Sequence, residues 1–139
     1  MVDDDREDIY LTKRAFCAKN SNLEFRSVQS GNDLFDYLNC RGEYAGHSIA
    51  DMPDVILLDI NIPRENGFAL LEKIKADTRY SHLPVSMLTT SKSSSDVHKA
   101  YQLGASSFIC KSTSADGMRK IADIFCAYWL SLAELPHVQ

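Results

Sequence analysis

Asp59 follows four apolar residues, Val55-Ile56-Leu57-Leu58, and comes two residues before Asn61, where a polar turn begins, so an apolar strand delivers a carboxylate to its own end. Three further groups capable of chemistry stand at or just past other predicted strands: the acidic triplet Asp3-Asp4-Asp5, the hydroxyl pair Thr89-Thr90, and Lys111. Carboxylates converging from separate strands make a hard, oxygen-rich site that suits Mg2+ better than a soft metal. A compact lysine charge and a threonine hydroxyl added to it suit phosphoryl oxygens, while the metal neutralises charge developing during transfer. A carboxylate can itself be the nucleophile and end as an acyl phosphate. Singly, each residue has an ordinary explanation: an aspartate caps a turn, a lysine is solvated, an acidic triplet favours a helix start. The set in register carries the chemistry.

Bringing these groups to one edge requires a particular order of elements. Ile9, Leu11, Ala15 and Phe16 interleave with charge from Arg6 to about Lys19, which predicts a first helix. Leu23 to Val28 alternates as a strand does, and Gly31-Asn32-Asp33 opens a second helix carrying Leu34, Phe35 and Leu38. Arg41 to Asp51 is longer than an ordinary helix-to-strand connection and reads as a surface insertion. The Asp59 strand, flanked by Pro53 and Pro63, has no polar alternation, the habit of a parallel strand covered on both faces. The turn Arg64-Glu65-Asn66-Gly67 then leads to a helix with Phe68, Leu71 and Ile74 inward and Glu72, Lys73 and Lys75 outward.

Pro84 to Thr89 predicts the next strand. Ser93 to Asp96 caps a helix carrying Val97, Ala100 and Tyr101 that ends at Gly104, and Ser107 to Cys110 is a brief last strand. From Ala115, the residues Met118, Ile121, Phe125, Tyr128 and Leu132 recur at helical spacing with Trp129 beside them, until Pro136 stops the helix. Strands alternating with helices predict an α/β fold, a parallel sheet with helices on both faces. In such a sheet, ligands bind at the carboxyl edge of the strands, where Asp59 would lie.

The 139 residues suit one domain, and a net charge of -4 gives no reason to expect nucleic acid. No apolar run approaches the roughly 20 residues that span a bilayer and no leader is evident, so a cytoplasmic protein without a membrane partner is expected. Cys17, Cys40, Cys110 and Cys126 lack metal or redox spacing and read as reduced, mostly buried thiols. His47, His82, His98 and His137 read as solvated.

Together the motifs Asp3-Asp4, Leu58-Asp59-Ile60-Asn61-Ile62-Pro63 with Gly67, Leu83 to Thr90, Gly104-Ala105 and Phe108-Ile109-Cys110-Lys111 resemble the receiver domain of two-component response regulators. Gly42-Glu43-Tyr44, Leu88-Thr89-Thr90-Ser91, Lys111-Ser112 and the ending Tyr128-Trp129-Leu130 to Leu135-Pro136 resemble its standalone, phytochrome-associated branch. The resemblance implies a flavodoxin-like, doubly wound, five-stranded sheet of order 2-1-3-4-5 and a single receiver domain over residues 1–139 with no output domain. It implies a phosphoprotein of a phosphorelay, not an enzyme beyond its own phosphorylation and dephosphorylation. Asp59 would accept phosphate from a sensor histidine kinase, a phytochrome among the candidates, or from a histidine phosphotransfer protein. Asp4, Asp59 and the carbonyl of Asn61 would hold Mg2+, with Asp3 supporting its water shell. Lys111 would bind the acyl phosphate, and Thr89 and Phe108 would switch the face made by the fourth helix, fifth strand and fifth helix, a face that also suits a homodimer.

Two departures bear on this. Only Met1 and Val2 precede Asp3, so the first strand is truncated: the chain starts late, or a stub suffices, or another chain covers the edge. Ser112 stands where many receivers have a proline after a cis bond, and a trans bond is expected here. The competing readings are a receiver-like interaction module that is not phosphorylated and a phosphohydrolase. Asn61 stands where that kind of hydrolase needs its second carboxylate.

Overall fold

The computed structural model describes residues 1–18, 20 and 22–136. Asp5 starts helix α1 (Arg6–Cys17) by accepting from the amides of Glu7 and Asp8, the role a short carboxylate fills at a helix N-terminus. Lys19, where the sequence places the helix end, lies outside the described residues, as does His137. Ser30, Asn66, Ser93 and Ser114 likewise start α2 (Gly31–Leu38), α3 (Gly67–Ala76), α4 (Ser94–Gln102) and α5 (Ala115–Cys126), each accepting an amide of the first turn.

Strand β1 (Ile56–Leu58) is followed by a small antiparallel hairpin, β2 (Asn61–Ile62) with β3 (Glu65–Asn66), in a region the sequence reads only as a turn. Strands β4 (Val85–Thr89) and β5 (Ser107–Cys110) then complete a parallel sheet of order β1-β4-β5. The Leu23–Val28 segment forms no ladder; it meets the sheet through an isolated parallel bridge from Val28 to Val2, and Val2 bridges in turn to Leu58.

The short stub before Asp3 is hydrogen-bonded on both sides. Val2 donates to the Leu57 carbonyl at 2.8 Å and accepts from Asp59 N at 3.1 Å, while Val28 N reaches Met1 O at 2.9 Å and Asp3 N reaches Val28 O at 3.1 Å. These bonds seat Asp3 beside the end of β1. A cavity of about 570 Å³ lies beside Met1 and Val2, lined also by Phe16, Phe25, Arg26, Val55 and Phe125 among others.

Side chains alternate across the sheet, as the period of two requires. Ile56, Leu58, Val85 and Met87 join one buried cluster with Leu34, Leu38, Leu71, Ile74 and Ala100 from α2, α3 and α4. Leu57 and Leu88 point the other way, into a cluster with Phe16 of α1 and Met118, Ala122 and Phe125 of α5. Helices thus cover both faces, as expected.

Several local expectations fail for identifiable reasons. The chain after Cys126 widens into a π-helical turn over Ala127–Leu132, which rotates the apolar stripe. Trp129 packs on Phe125 at 6.4 Å between ring centroids, whereas Tyr128 and Leu132 of the helically spaced set are 50% and 74% exposed. Lys75 is not outward: its amine folds back to the carbonyls of Ser81 and Leu83 at 3.1 and 2.7 Å, tying the end of α3 to the approach of β4. Only Cys126 of the four free thiols is buried, and Cys110 is exposed. His98 is solvated, but His47 packs against the rings of both Tyr37 and Tyr44, and both His47 Nδ1 and His82 Nε2 are buried without a hydrogen-bond partner. Among the described residues no helix is long and apolar enough to cross a membrane.

Candidate functional site

Lys111 Nζ lies 3.0 Å from Asp59 Oδ2, 2.7 Å from Asp3 Oδ2 and 2.8 Å from Asp8 Oδ2. Three elements deliver these groups to one sheet edge. Asp3 ends the Val2 bridge, Asp59 ends β1, and Lys111 follows β5, its amide held on Thr89 O at 2.8 Å. The register Thr89↔Cys110 places Lys111 one residue past the strand pair, over the ends of its neighbours.

Each of the two sheet-edge carboxylates has its second oxygen fixed by backbone. Asp3 Oδ1 accepts from Asp5 N at 2.9 Å, and Asp59 Oδ1 accepts from Asn61 N at a longer 3.4 Å. Asp3 is fully buried and Asp59 is 7% exposed. Burial pushes the Asp3 carboxyl above its ordinary value, against the hydrogen bond from Lys111. For Lys111, burial acts to lower the pKa, but the hydrogen bonds it donates to Asp3, Asp8 and Asp59 outweigh it and the net shift is upward. The proton on Lys111 is therefore firmly held, and a single ammonium faces three carboxylates.

Gly67 lets the chain close over this edge. Its amide donates to Ile60 O at 2.8 Å, and a Cβ there would overlap the Asp59 carbonyl and stand 2.7 Å from Ile60 Cα. Thr89 is fully buried at the end of β4, with Oγ1 accepting from Ser91 N at 3.4 Å. Phe108 is partly buried, packs against the larger core cluster and is aligned with Met87. Asp4 and Asn61 are exposed, at the same edge as Asp3 and Asp59. No cis peptide occurs among the described residues, in keeping with a trans bond before Ser112.

Asp8 is the member the sequence reading misses, because its place in the first turn of α1 has a sufficient explanation in the helix dipole. With Asp5 as N-cap, Asp8 is the third helical residue, and its carboxylate reaches Lys111 rather than the cap.

The donor set fits a hard divalent cation. Its groups are carboxylates with negative charge in excess of the one ammonium, and neither a thiolate nor an imidazole is among the Lys111 partners. Among the described residues no three acidic, histidine or cysteine side chains are already gathered as a ligand cage. Asp3, Asp8 and Asp59 are turned onto Lys111 instead.

Comparison with known proteins places the arrangement. The model of the response regulator receiver domain matches residues 1–123. The response regulator Rcp1 of Synechocystis sp. is 28% identical over 136 residues, covering 98% of this chain and 90% of its own. The structure of the phosphorylated cyanobacterial phytochrome response regulator RcpA superposes with a TM-score of 0.87 at 35% identity, over 97% of this chain and 94% of that one. The Mn(2+)-bound form of Rcp1 superposes with a TM-score of 0.80 at 28% identity, over 97% and 95% of the two chains.

Proposed function

This chain belongs to the response regulator receiver domain family of two-component systems, and on that premise we propose that it is a phosphoacceptor switch working through Asp59. It resembles phytochrome response regulators over nearly its whole length. The contact of Lys111 Nζ with Asp59 Oδ2, supported on Asp3, is the observation that carries the reading. A cation held at 3.0 Å from the acceptor oxygen stands where a transferred phosphoryl group needs one.

In the proposed step an Asp59 oxygen attacks the phosphorus of a phosphohistidine on a kinase or phosphotransfer partner. The P–O bond forms, the P–N bond breaks, and the leaving imidazole nitrogen keeps the electron pair and takes a proton from water. Lys111 then donates to a phosphoryl oxygen, and the Thr89 hydroxyl, one strand away, turns toward another. Asp3, Asp4, Asp59 and the Asn61 carbonyl are the groups that would hold Mg2+, which supplies charge neutralisation for the incoming phosphoryl oxygens. Thr89 and Phe108 stand at the end and in the middle of adjacent strands, so movement at one reaches the α4-β5-α5 face through the β4–β5 ladder.

The sheet supports the finer topology. Val28, Val2, Leu58, Met87 and Phe108 are successive register partners, which reads as five strands in the order 2-1-3-4-5 with the first reduced to a stub. On the far face Ile124, Tyr128 and Leu132 are 62%, 50% and 74% exposed, beside a groove lined by Ile109, Ile121 and Trp129. Contiguous apolar surface of that kind fits a second copy of the chain.

Incubation with Mg2+ and a small phosphodonor such as acetyl phosphate, followed by intact-mass measurement, tests the reading. A single phosphoryl adduct that disappears in Asp59→Asn is expected. A folded protein that gains no adduct would overturn it.

A further inference from the structure

Asp8 closes a ring of hydrogen bonds around the site. Asp3 Oδ1 accepts from Asp5 N at 2.9 Å, Asp5 Oδ1 accepts from Asp8 N at 3.2 Å, Asp8 Oδ2 accepts from Lys111 Nζ at 2.8 Å, and Lys111 returns to Asp3 Oδ2 at 2.7 Å. The Asp8 backbone is further pinned by Thr12 Oγ1, which donates to its carbonyl at 2.7 Å. Thr12 is itself 2% exposed. The first turn of α1 is thereby built into the mounting of a lysine 103 residues away.

From this geometry we propose that Asp8 is a positioning residue for phosphoryl transfer, holding the Lys111 ammonium in place from the helix side while its partner at Asp59 changes. The inference rests on the phosphoacceptor reading above. An ammonium has three N–H bonds, and here all three have a carboxylate acceptor within 3.0 Å. When Asp59 becomes an acyl phosphate, one of those bonds passes from Asp59 Oδ2 to a phosphoryl oxygen. The lysine must stay put while it does so, although its stem is long and flexible.

The other two carboxylates are not equivalent as anchors. Asp3 is fully buried and its carboxyl is under pressure from burial, and it lies on the same sheet edge as Asp59. Asp8 comes from a different element, its side chain is 33% exposed, and its position is set by the helix cap rather than by the sheet. It can therefore keep its bond to Lys111 whatever Asp3 and Asp59 bind. Were Asp8 only a helix-start residue, its carboxylate would have no need to reach Lys111, because Asp5 already supplies the cap.

The experiment uses the full chain and four changes: Asp8→Asn, Asp8→Glu, Lys111→Gln and the double change Asp8→Asn with Lys111→Gln. Asp5→Asn serves as a control that removes a neighbouring charge but keeps a capping side chain. Losing one charge-assisted hydrogen bond to the lysine should slow phosphorylation by acetyl phosphate about tenfold in Asp8→Asn, with Asp8→Glu recovering part of the rate. In the Lys111→Gln background Asp8→Asn should have no further effect, the mark of residues acting through one another. Wild-type rates in Asp8→Asn, or an equal slowing with and without Lys111, would overturn the proposal. The 15N resonance of the Lys111 ammonium gives a readout independent of transfer: it should move in Asp8→Asn and stay in Asp5→Asn. If wild-type protein takes no phosphoryl group the phosphoacceptor reading fails, while an unmoved Lys111 resonance in Asp8→Asn sinks the anchor itself.

Discussion

Gly67 and Asp59 are in backbone contact: a Cβ on Gly67 would overlap the Asp59 carbonyl oxygen and lie 2.9 Å from its carbonyl carbon. The contact is between main chains, so no side-chain rotation relieves it. Gly67→Ala should push the start of α3 away from the end of β1, at a cost of about 1–3 kcal/mol typical of overpacking. It should also slow phosphorylation more than a comparable loss of stability elsewhere, because the displaced strand end carries Asp59. Urea unfolding together with phosphodonor kinetics checks both effects, and an unchanged midpoint would refute the first.

Asp3 is expected to trade stability for function. Its folded pKa lies above 3.8 because of burial, so the folded state binds a proton more readily than the unfolded one. Ionised Asp3 therefore costs stability at neutral pH, and that cost vanishes as pH falls through the folded pKa toward 3.8. Asp3→Asn leaves Lys111 with Asp8 and Asp59, and it should raise stability at pH 7. The gain should fade in acid, and Mg2+ binding measured by calorimetry should weaken at the same time. A variant destabilised at pH 7 would show that the hydrogen bonds of Asp3 outweigh its desolvation.

What the sequence made legible follows from the physics of strand ends. Asp59 and Lys111 could be placed because an apolar run stops abruptly before a charged residue, and strand ends of a parallel sheet share an edge. Asp3 needed only two residues of strand for the same logic to hold. Asp8 was hidden because a carboxylate in a first helical turn is stabilised wherever its side chain points. The π-helical turn at Ala127 was not legible, because residue spacing reports an α-helical period and nothing local marks the change. The Leu23–Val28 segment alternates like a strand yet makes one bridge, since a ladder needs a partner and the stub offers only Val2.

The Arg41–Asp51 insertion should loosen in acid. Asp51 is held below the usual carboxylate range first by the amide of Ser48, then by His47 and Arg26, and its backbone carbonyl accepts from the Tyr37 hydroxyl. A lowered folded pKa means that the contribution is present above 3.8 and is lost as pH falls through the folded value. The Ser48 amide resonance should therefore titrate below pH 3.8 in the wild type and stay flat in Asp51→Asn. A wild-type midpoint at or above 3.8 would contradict the assignment.

The exposed apolar face of α5 and its π-helical extension predicts self-association. Ile124→Glu combined with Leu132→Glu places two charges on side chains that are 62% and 74% exposed, so the monomer should fold with nearly unchanged stability. Sedimentation at matched concentration should show dimer for the wild type and monomer for the double variant. Wild-type protein that stays monomeric across the concentration range, with or without beryllofluoride as phosphoryl analogue, would remove this face as a self-association surface.

Val2 provides the most direct test of how the sheet positions Asp3. It is 1% exposed, bridges Val28 and Leu58, and contributes both of its backbone groups to the Asp59 strand. Val2→Ala keeps those hydrogen bonds and removes two buried methyl groups, next to a cavity that limits how well the site can repack. A loss of about 1–3 kcal/mol follows from transfer and cavity costs together. Because Asp3 is the next residue, the looser stub should also weaken Mg2+ binding, although no ligand has been altered. The denaturant midpoint should fall with the slope unchanged. A loss of stability with fully retained metal affinity would mean that Asp3 is positioned by Asp5 and Lys111 alone, and that the sheet contributes nothing to its aim.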